Sequence, residues 1–489
     1  MTEPVAAIQV DATAAPTPNE RAPGIRAFAL PAVLLLAAAW RLHGLDDQSI
    51  WYDEALSIGI GQTPFAQLID SVKRFEQTPP LYHLLLSGWM RLFGDSEFAV
   101  RVPSVIAGVM ACWATWRLAE RAGGFVAACA ATLLMVLSPF QLVYAQEART
   151  YALLLALGLW SSEFLLRILD GSRVGGVLYV LVASAMLWTH PFSALVLLAH
   201  NLVVTFSLLR RPKPKVSIGL WLAIQGATAL LFVPWLPTQL RWTQSVAKTF
   251  WIPPFGVGEI LRAFWVYADS LPALILLTVF VIVGMRQAKD KRIPLLGAAL
   301  TLACVILPVI LSLIVRPLFT PRYGIVCTGA IYALAGAGVA APRPALARGI
   351  AIAALVALPL IGSWPHPSYA GHEKDDWRGA GAYLQQSMRP GDYVAINVPN
   401  ATMAYTYYVN RPDVELIAFA GPRIPLGVTS VRRGASVWLV VHAARETPEQ
   451  IIAAGGWHVA EQPHFRGVHV YRLLPSSAPA SGPKPNGEI

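Results

Sequence analysis

Eleven apolar stretches dominate this chain, near 25–40, 99–117, 123–140, 151–169, 174–190, 191–209, 216–236, 271–286, 294–315, 323–341 and 347–363. A bilayer-crossing helix needs roughly 17–25 mostly apolar residues, because lipid offers its backbone no hydrogen-bond partner. Composition agrees: 13% of residues are charged and 55% hydrophobic, about half the charge density that clothes a soluble domain. The expected fold class is therefore mainly α, a polytopic transmembrane helix bundle of about eleven spans. A wholly soluble enzyme or a disordered chain is excluded.

The net charge of +10 would suit a nucleic-acid partner, so its placement decides. Alternate connections read WRLAERAGG, LRILDGSRVGG, LLRRPKPKVS, MRQAKDKRI and APRPALAR, each with at least two Lys or Arg. The opposite set holds WTHPF, with none, and the longer segments 41–98, 140–150, 237–270 and 316–322. Basic residues stay in the cytoplasm during insertion. The basic connections are thus cytoplasmic, the charge is a topology signal, and no nucleic-acid partner is expected. PPLYHLLLSGWMRLFG, 79–94, would reverse this parity if it spanned; it reads as an amphipathic helix lying at the outer interface. Trp40, Trp51, Tyr52, Trp188, Trp235, Trp242, Trp251, Trp265 and Trp364 sit at the expected outer ends, as an interfacial aromatic belt would.

Residues 1–24, rich in Ala, Pro and Thr, read as a disordered cytoplasmic tail. A cleaved signal peptide is the alternative, since Ala37-Ala38-Ala39 could serve as a cleavage site. The transmembrane domain covers 25–363, with 41–98 as its first outer loop. After Pro365, strand and helix patterns alternate: DDWRGAGAYLQQSM, PGDYVAINVP, ATMAYTYYVN, VELIAF, SVWLVVHA, TPEQIIAAGG and HVYRLL. That order argues a small extracytoplasmic α/β domain over 364–475, and 476–489 reads as a flexible tail. Gly379 to Ala382 (GAGA) reads as a helix packing face. His442, His458, His464 and His469 lack metal-like spacing and read as surface or strand residues. Cys112, Cys129, Cys304 and Cys327 fall in apolar stretches as small core residues.

Polar outliers carry the functional signal in a membrane protein. The first outer loop holds Trp51-Tyr52-Asp53-Glu54 and then Lys73-Arg74-Phe75-Glu76-Gln77-Thr78-Pro79-Pro80-Leu81-Tyr82-His83. The second holds Gln146-Glu147-Ala148-Arg149, and a later outer turn Arg316 and Thr320-Pro321-Arg322-Tyr323. Asp46 and Asp47 read as solvated loop charges. Carboxylates and arginines from distant segments thus meet one face of the bilayer. Sugar transfer from a polyprenyl phosphate would use this set. The leaving group is a phosphate that needs cations and no general acid. The acceptor hydroxyl needs one carboxylate to take its proton, and the paired carboxylates of a retaining glycosidase are not required.

The ordered set WYDEALS, QTPPLYHLLLSGWMRLFG with FAVRVPS, YAQEARTYAL and TPRYG resembles the family 39-like membrane glycosyltransferases of the GT-C fold. These include bacterial relatives of the protein O-mannosyltransferases and of the lipid A aminoarabinose transferase. The resemblance covers 25–363, and DDWRGAGAYL…PGDYV looks like the start of the tail domain in many bacterial members. It implies a polyprenyl-phosphate sugar donor, an acceptor hydroxyl on protein, lipid or envelope glycan, and a site facing outward from a bacterial inner membrane. It also implies Asp53 as catalytic base with Glu54 its motif partner, Glu147 as the second-loop acid, and Arg149 and Arg322 as donor-phosphate ligands. Trp51, Tyr52, Gln77, Tyr82, His83, Gln146 and Tyr323 are the accompanying candidates for substrate binding. One departure stands out. The aminoarabinose transferases carry Glu-Lys before the two prolines, where the lysine holds phosphate, whereas Gln77-Thr78 stands here. Lys73, Arg74 or Arg149 would have to take that role. No cofactor is firmly implied; a divalent metal is possible, with Glu76 and His83 as contributors. A lipid-linked sugar flippase and a non-catalytic membrane scaffold remain the alternatives, the first disfavoured because ionisable groups gather at one surface and not mid-membrane.

Overall fold

The computed structural model describes residues 25–210, 213–246, 257–268, 270–315, 317–342, 344–363, 373–398, 401–421, 423–425, 431–432, 434–442 and 447–475. The two expected tails, Trp251, Trp364, Arg316 and the 364–372 junction lie outside them. Each apolar stretch is helical. The first is α1 (Ile25–Leu42); within 41–98 follow α2 (Tyr52–Gln62), α3 (Phe65–Phe75) and α4 (Leu81–Phe93). The remaining helices up to residue 363 are α5 (Glu97–Gly123), α6 (Phe125–Leu137), α7 (Pro139–Ala145), α8 (Tyr151–Leu169), α9 (Arg173–Leu187), α10 (Ser193–Leu209), α11 (Ile218–Phe232), α12 (Leu236–Val246), α13 (Val257–Ala268), α14 (Leu271–Gln287), α15 (Arg292–Thr301), α16 (Leu307–Ile314), α17 (Ile325–Ala340) and α18 (Ala345–Ser363).

Among the described residues, five helices are long and apolar enough to cross a membrane: Glu97–Gly123, Tyr151–Leu169, Ile218–Ser245, Arg292–Ile314 and Pro321–Ala340. A sixth span arises if α6 and α7, bent by 62° at Ser138, count as one. Arg173–Leu187, Ser193–Leu209, Leu271–Gln287 and Ala345–Ala357 are apolar but shorter. The expected count of eleven therefore exceeds what helix length alone supports, because turns and breaks consume the ends of several apolar runs. The 13 residues of α4 rise about 20 Å, short of the roughly 30 Å apolar core.

Two prolines explain local features that position the end of the bundle next to the sheet unit. Pro139 has no N–H, so the Met135 carbonyl four residues earlier loses its helical donor; the helix breaks, and buried Arg41 donates to that carbonyl from Nη2 at 3.0 Å. Pro103 likewise frees the Ala99 carbonyl inside α5, and the Trp89 indole of α4 donates to it at 2.9 Å. Deeper in the bundle, α14 and α17 touch backbone to backbone. A Cβ on Gly284 would collide with the Leu334 carbonyl oxygen, and one on Gly338 with that of Phe280. Only glycine permits this approach, the usual device where lipid removes the hydrophobic drive for helix association. At the basic end, Glu163 is fully buried but ringed by Arg121 (2.8 Å), Arg167 (3.0 Å) and Arg117 (3.8 Å).

The C-terminal segment is the expected α/β unit. It comprises α19 (Trp377–Ser387), β1 (Tyr393–Ile396), α20 (Thr402–Tyr408), β2 (Glu415–Ala418), β3 (Val437–Val441), α21 (Pro448–Gly455), β4 (Trp457–Glu461), β5 (His464–Phe465) and β6 (Val468–Pro475). The sheet order is β2-β1-β3-β6-β4, with β1 parallel to β2 and β3, and β6 antiparallel to β3, β4 and β5. Thr447 and Gln450 form a capping box on α21. Within the GAGA run, Gly381 lies where a Cβ would strike Tyr408 of α20, so the run is a packing face. β4 and β5 went unread in the sequence, because Trp457–Phe465 is short, polar and half exposed.

The sheet unit sits directly on the first outer loop. Tyr408 donates to Glu97 at 2.9 Å and contacts the Ile50 amide at 2.6 Å, and Arg378 pairs with Glu97 and donates to the Asp46 carbonyl. His442 is buried at this junction, bonded to Asp375 at 2.7 Å and stacked on Tyr52. That corrects its reading as a surface residue, since it directly follows β3 and is covered. A histidine after an apolar strand gives no sign that another domain covers it.

Candidate active site

Helix α2 begins at the end of the bundle that meets the sheet unit, and its first turn carries Asp53 and Glu54. Successive residues on a helix point about 100° apart, and these two carboxylates have different environments. Glu54 is fully buried. Its oxygens accept from Arg101 Nε and Nη2 (both 2.8 Å), Lys374 Nζ (2.9 Å) and the Ala148 amide (2.9 Å). Arg101 also donates to the Leu45, Gln48 and Ser49 carbonyls at 2.8–3.0 Å, so all five of its N–H groups are engaged. Burial raises the Glu54 pKa, but Arg101 and Lys374 outweigh it and hold the carboxyl at about 2. Glu54 is an ionised anchor joining α2, α5, the second outer loop and the C-terminal unit.

Asp53 instead remains partly accessible. Arg322 Nη1 lies 3.9 Å from its Oδ2, and its backbone carbonyl accepts from Arg149 Nη1 at 3.3 Å. The N-terminal turn of α2 adds a favourable field for its negative charge. Arg322 stacks over Tyr151 (5.3 Å) and Tyr323 (5.8 Å). Such ring faces hold a guanidinium in place without neutralising it.

The second outer loop supplies Glu147 and Arg149 between α7 and α8. Glu147 is buried, and its Oε2 has no hydrogen-bond partner among the described residues. Burial raises its pKa, with Glu54 and Asp53 acting in the same sense and Lys374 and Arg322 against it. Arg149 donates to Glu76 Oε2 at 2.9 Å and to Ser57 Oγ at 3.2 Å. Glu76 turns inward and also accepts from the Gln77 and Thr78 amides; Arg149 and His83 override its burial and keep it at about 2. His83, 3.8 Å from Glu76, is kept neutral by burial, with its pKa down at about 4. Gln146 donates to the Arg41 and His43 carbonyls, and Tyr82 bonds Ser104 at 3.1 Å; both brace the loops from behind.

Most expected residues converge here, but the side chains of Lys73, Arg74 and Gln77 do not join the cluster. Lys73 pairs with Asp70 at 3.2 Å on the exposed side of α3, and Arg74 is exposed beside it. The charged face of this amphipathic helix is the exposed one. Trp51 caps α2, Tyr52 packs on His442, and Gln77 is exposed. Among the described residues no three His, Cys, Asp or Glu side chains gather as a metal-binding group, and Glu76 and His83 stand as a pair.

Three participants escaped the sequence reading. Arg101 was visible as a lone arginine in an apolar run, within the quoted FAVRVPS. Lys374 precedes DDW by one residue but belongs to another domain, and only tertiary contact brings it to Glu54. His190, in the WTHPF turn, packs against Tyr151 (5.7 Å) and Tyr323 (5.4 Å). Its Nδ1 accepts from the Phe192 amide at 3.2 Å, so the neutral ring carries its proton on Nε2. Burial keeps it neutral, at about 3.

Residues 77–237 match the family model described as dolichyl-phosphate-mannose-protein mannosyltransferase. No curated protein matches the chain. Among solved structures, ArnT from Cupriavidus metallidurans in the apo state superposes with TM-score 0.58, at 13% identity over 91% of this chain and 97% of that one. The fold is that of the GT-C membrane glycosyltransferases. ArnT bound to undecaprenyl phosphate gives the same TM-score at 14% identity, again over 91% and 97%. The oligosaccharyltransferase AglB from Archaeoglobus fulgidus, in complex with an inhibitory peptide and a dolichol-phosphate, gives 0.53 at 11% identity over 85% and 70%. The arabinofuranosyltransferase AftD from Mycobacteria gives 0.51 at 15% identity over 93% of this chain and 40% of its own. The GT-C resemblance seen in the sequence motifs thus agrees with the family model and with the fold of an integral membrane protein.

Proposed function

We propose that this GT-C protein is an inverting glycosyltransferase that moves a sugar from a polyprenyl-phosphate donor to an acceptor hydroxyl at the outer membrane surface. The carrying observation is the meeting of Asp53 and Arg322, 269 positions apart in sequence and 3.9 Å apart in space. Beside them lie the buried Glu147 and the Arg149–Glu76 pair. In this reading the Asp53 carboxylate accepts the proton of the acceptor hydroxyl. The hydroxyl oxygen forms its bond to the anomeric carbon as the bond from that carbon to the phosphate oxygen breaks. The electron pair passes to the phosphate, where Arg322 and Arg149 stabilise the growing charge. One displacement inverts the anomeric centre.

Glu147, with one oxygen unbonded, is assigned to a sugar hydroxyl of the donor. Glu54 holds the architecture and takes no proton in the reaction. The undecaprenyl-phosphate and dolichol-phosphate complexes of proteins with this fold support the donor class. The acceptor is a hydroxyl on protein, lipid or envelope glycan. The test uses the purified full chain in nanodiscs with undecaprenyl-phosphate-linked hexose and pentose, following release of undecaprenyl phosphate and the anomeric configuration of the product. Release that requires Asp53, with inversion, is expected; retention of configuration, or release unchanged in Asp53→Asn, overturns the assignment.

A further inference from the structure

Among the described residues, the charge inventory of the site does not close within the membrane domain. Four carboxylates face it: Asp53 and Glu54 from α2, Glu76 from the loop before α4, and Glu147 from the second outer loop. Three guanidiniums answer them, those of Arg101, Arg149 and Arg322. His83 and His190 are neutral near pH 7. Arg41 points elsewhere, into the Ala37 and Met135 carbonyls. Among the described residues, the membrane domain alone therefore presents one surplus negative charge where, in the proposed reading, a phosphate donor binds. An uncompensated charge in so dry a place is costly, and it repels an anion.

The missing cation comes from the C-terminal unit. Lys374 Nζ donates to Glu54 Oε2 at 2.9 Å and lies close enough to Glu147 to act on its charge. The segment that carries it is held from both sides. Its amide donates to Gln48 Oε1 at 2.7 Å, Ser49 Oγ donates to the Asp375 carbonyl at 2.5 Å, and Arg466 Nε donates to the Lys374 carbonyl at 3.0 Å. The neighbouring acids are turned to partners of their own and not to Glu54 or Glu147: Glu373 pairs with Arg466, Asp375 is hydrogen-bonded to His442, and Asp376 caps the Gly379 amide. A lysine so firmly aimed at a buried carboxylate from another domain is part of the site's electrostatics.

We propose that the C-terminal α/β unit completes the donor site, with Lys374 as a positioning residue whose charge balances the carboxylates so that a polyprenyl phosphate can bind. This rests on the glycosyltransferase reading and deepens it, since it makes docking of the C-terminal unit a condition for donor binding.

The test titrates the full-length protein in nanodiscs with undecaprenyl phosphate and, separately, with uncharged undecaprenol. Lys374→Met is expected to weaken undecaprenyl phosphate binding by about tenfold, as one unit charge does over a short distance at intermediate dielectric, and to alter undecaprenol binding by less than about twofold. Lys374→Arg should stay within about threefold of wild type, because it keeps the charge. Adding Glu147→Gln to Lys374→Met should recover most of the loss, since it removes one negative charge without restoring the Glu54 contact. Unchanged phosphate binding in Lys374→Met overturns the proposal, as does equal loss for both lipids, which marks a purely structural role. A double variant no better than the single one overturns it too. Should the wild type itself bind no undecaprenyl phosphate, the functional reading fails first, and the role of Lys374 falls with it.

Discussion

Asp53 and Glu54 are adjacent in sequence and opposite in duty, and the difference lies in what each carboxylate touches. Asp53, near Arg322 and partly accessible, is the reactive group of the proposed mechanism. Asp53→Asn should reduce transfer by about 10³-fold, in the middle of the range for a general base, with an unchanged melting profile in detergent. Arg101→Leu belongs to the opposite class. It leaves Glu54 and three loop carbonyls without their guanidinium, so a loss of about 3 kcal/mol in stability is expected, read as a lower melting temperature. The buried histidines give a pH signature. His83 titrates at about 4 in the folded protein and 6.5 in an unfolded chain. Between those values the unfolded state binds the extra proton, so stability falls as pH drops from 6.5 to 4. Glu76, at about 2 when folded against 4.5, continues the loss below pH 4.5. Melting temperatures measured across pH 7 to 4 should decline, and His83→Gln should flatten the upper part of that slope.

The helices owe their shapes to single residues whose effect is backbone bookkeeping. Pro139 withholds a donor from Met135, the span bends by 62°, and Arg41 fills the vacancy. Arg41→Met should leave that buried carbonyl unpaired and cost about 1–3 kcal/mol, again seen in the melting temperature. The α14–α17 contact is less forgiving. Gly338→Val places methyl groups where the Phe280 carbonyl sits, and overpacking of that kind costs about 1–3 kcal/mol or more. Loss of monodisperse protein on size exclusion is the expected result. Both features explain why the apolar stretches were readable while their ends were not. Hydropathy marks a run of side chains, but a break depends on which carbonyl loses its partner and what reaches it.

The whole molecule is a helix bundle with one rim roofed by an α/β unit. The proposed orientation rests on the placement of Lys and Arg, and labelling can check it. In a background with Cys112, Cys129, Cys304 and Cys327 replaced by alanine, a cysteine at Asp46 should react with an impermeant maleimide from outside intact cells. A cysteine at Lys213, in the basic connection after α10, should react only after permeabilisation. Both positions are exposed, so the reverse pattern would place the site on the cytoplasmic side. The scaffold alternative makes the loop carboxylates dispensable, which is the opposite of the Asp53→Asn expectation.

Membrane class, helical bundle, an α/β unit at the end and the acidic and basic motifs of the outer loops all follow from local composition and spacing, because burial in lipid imposes a rule on every contiguous stretch. Asp53, Glu147, Arg149 and Arg322 could be named for that reason, as polar groups at the ends of apolar runs. Their division of labour could not. That Glu54 is an anchor, that Lys73 and Arg74 stay exposed, that Arg101 uses every N–H it has, and that Lys374 crosses from another domain are results of three-dimensional contact. Charge neutrality in a buried site is a sum over neighbours in space, and no window of sequence contains those neighbours.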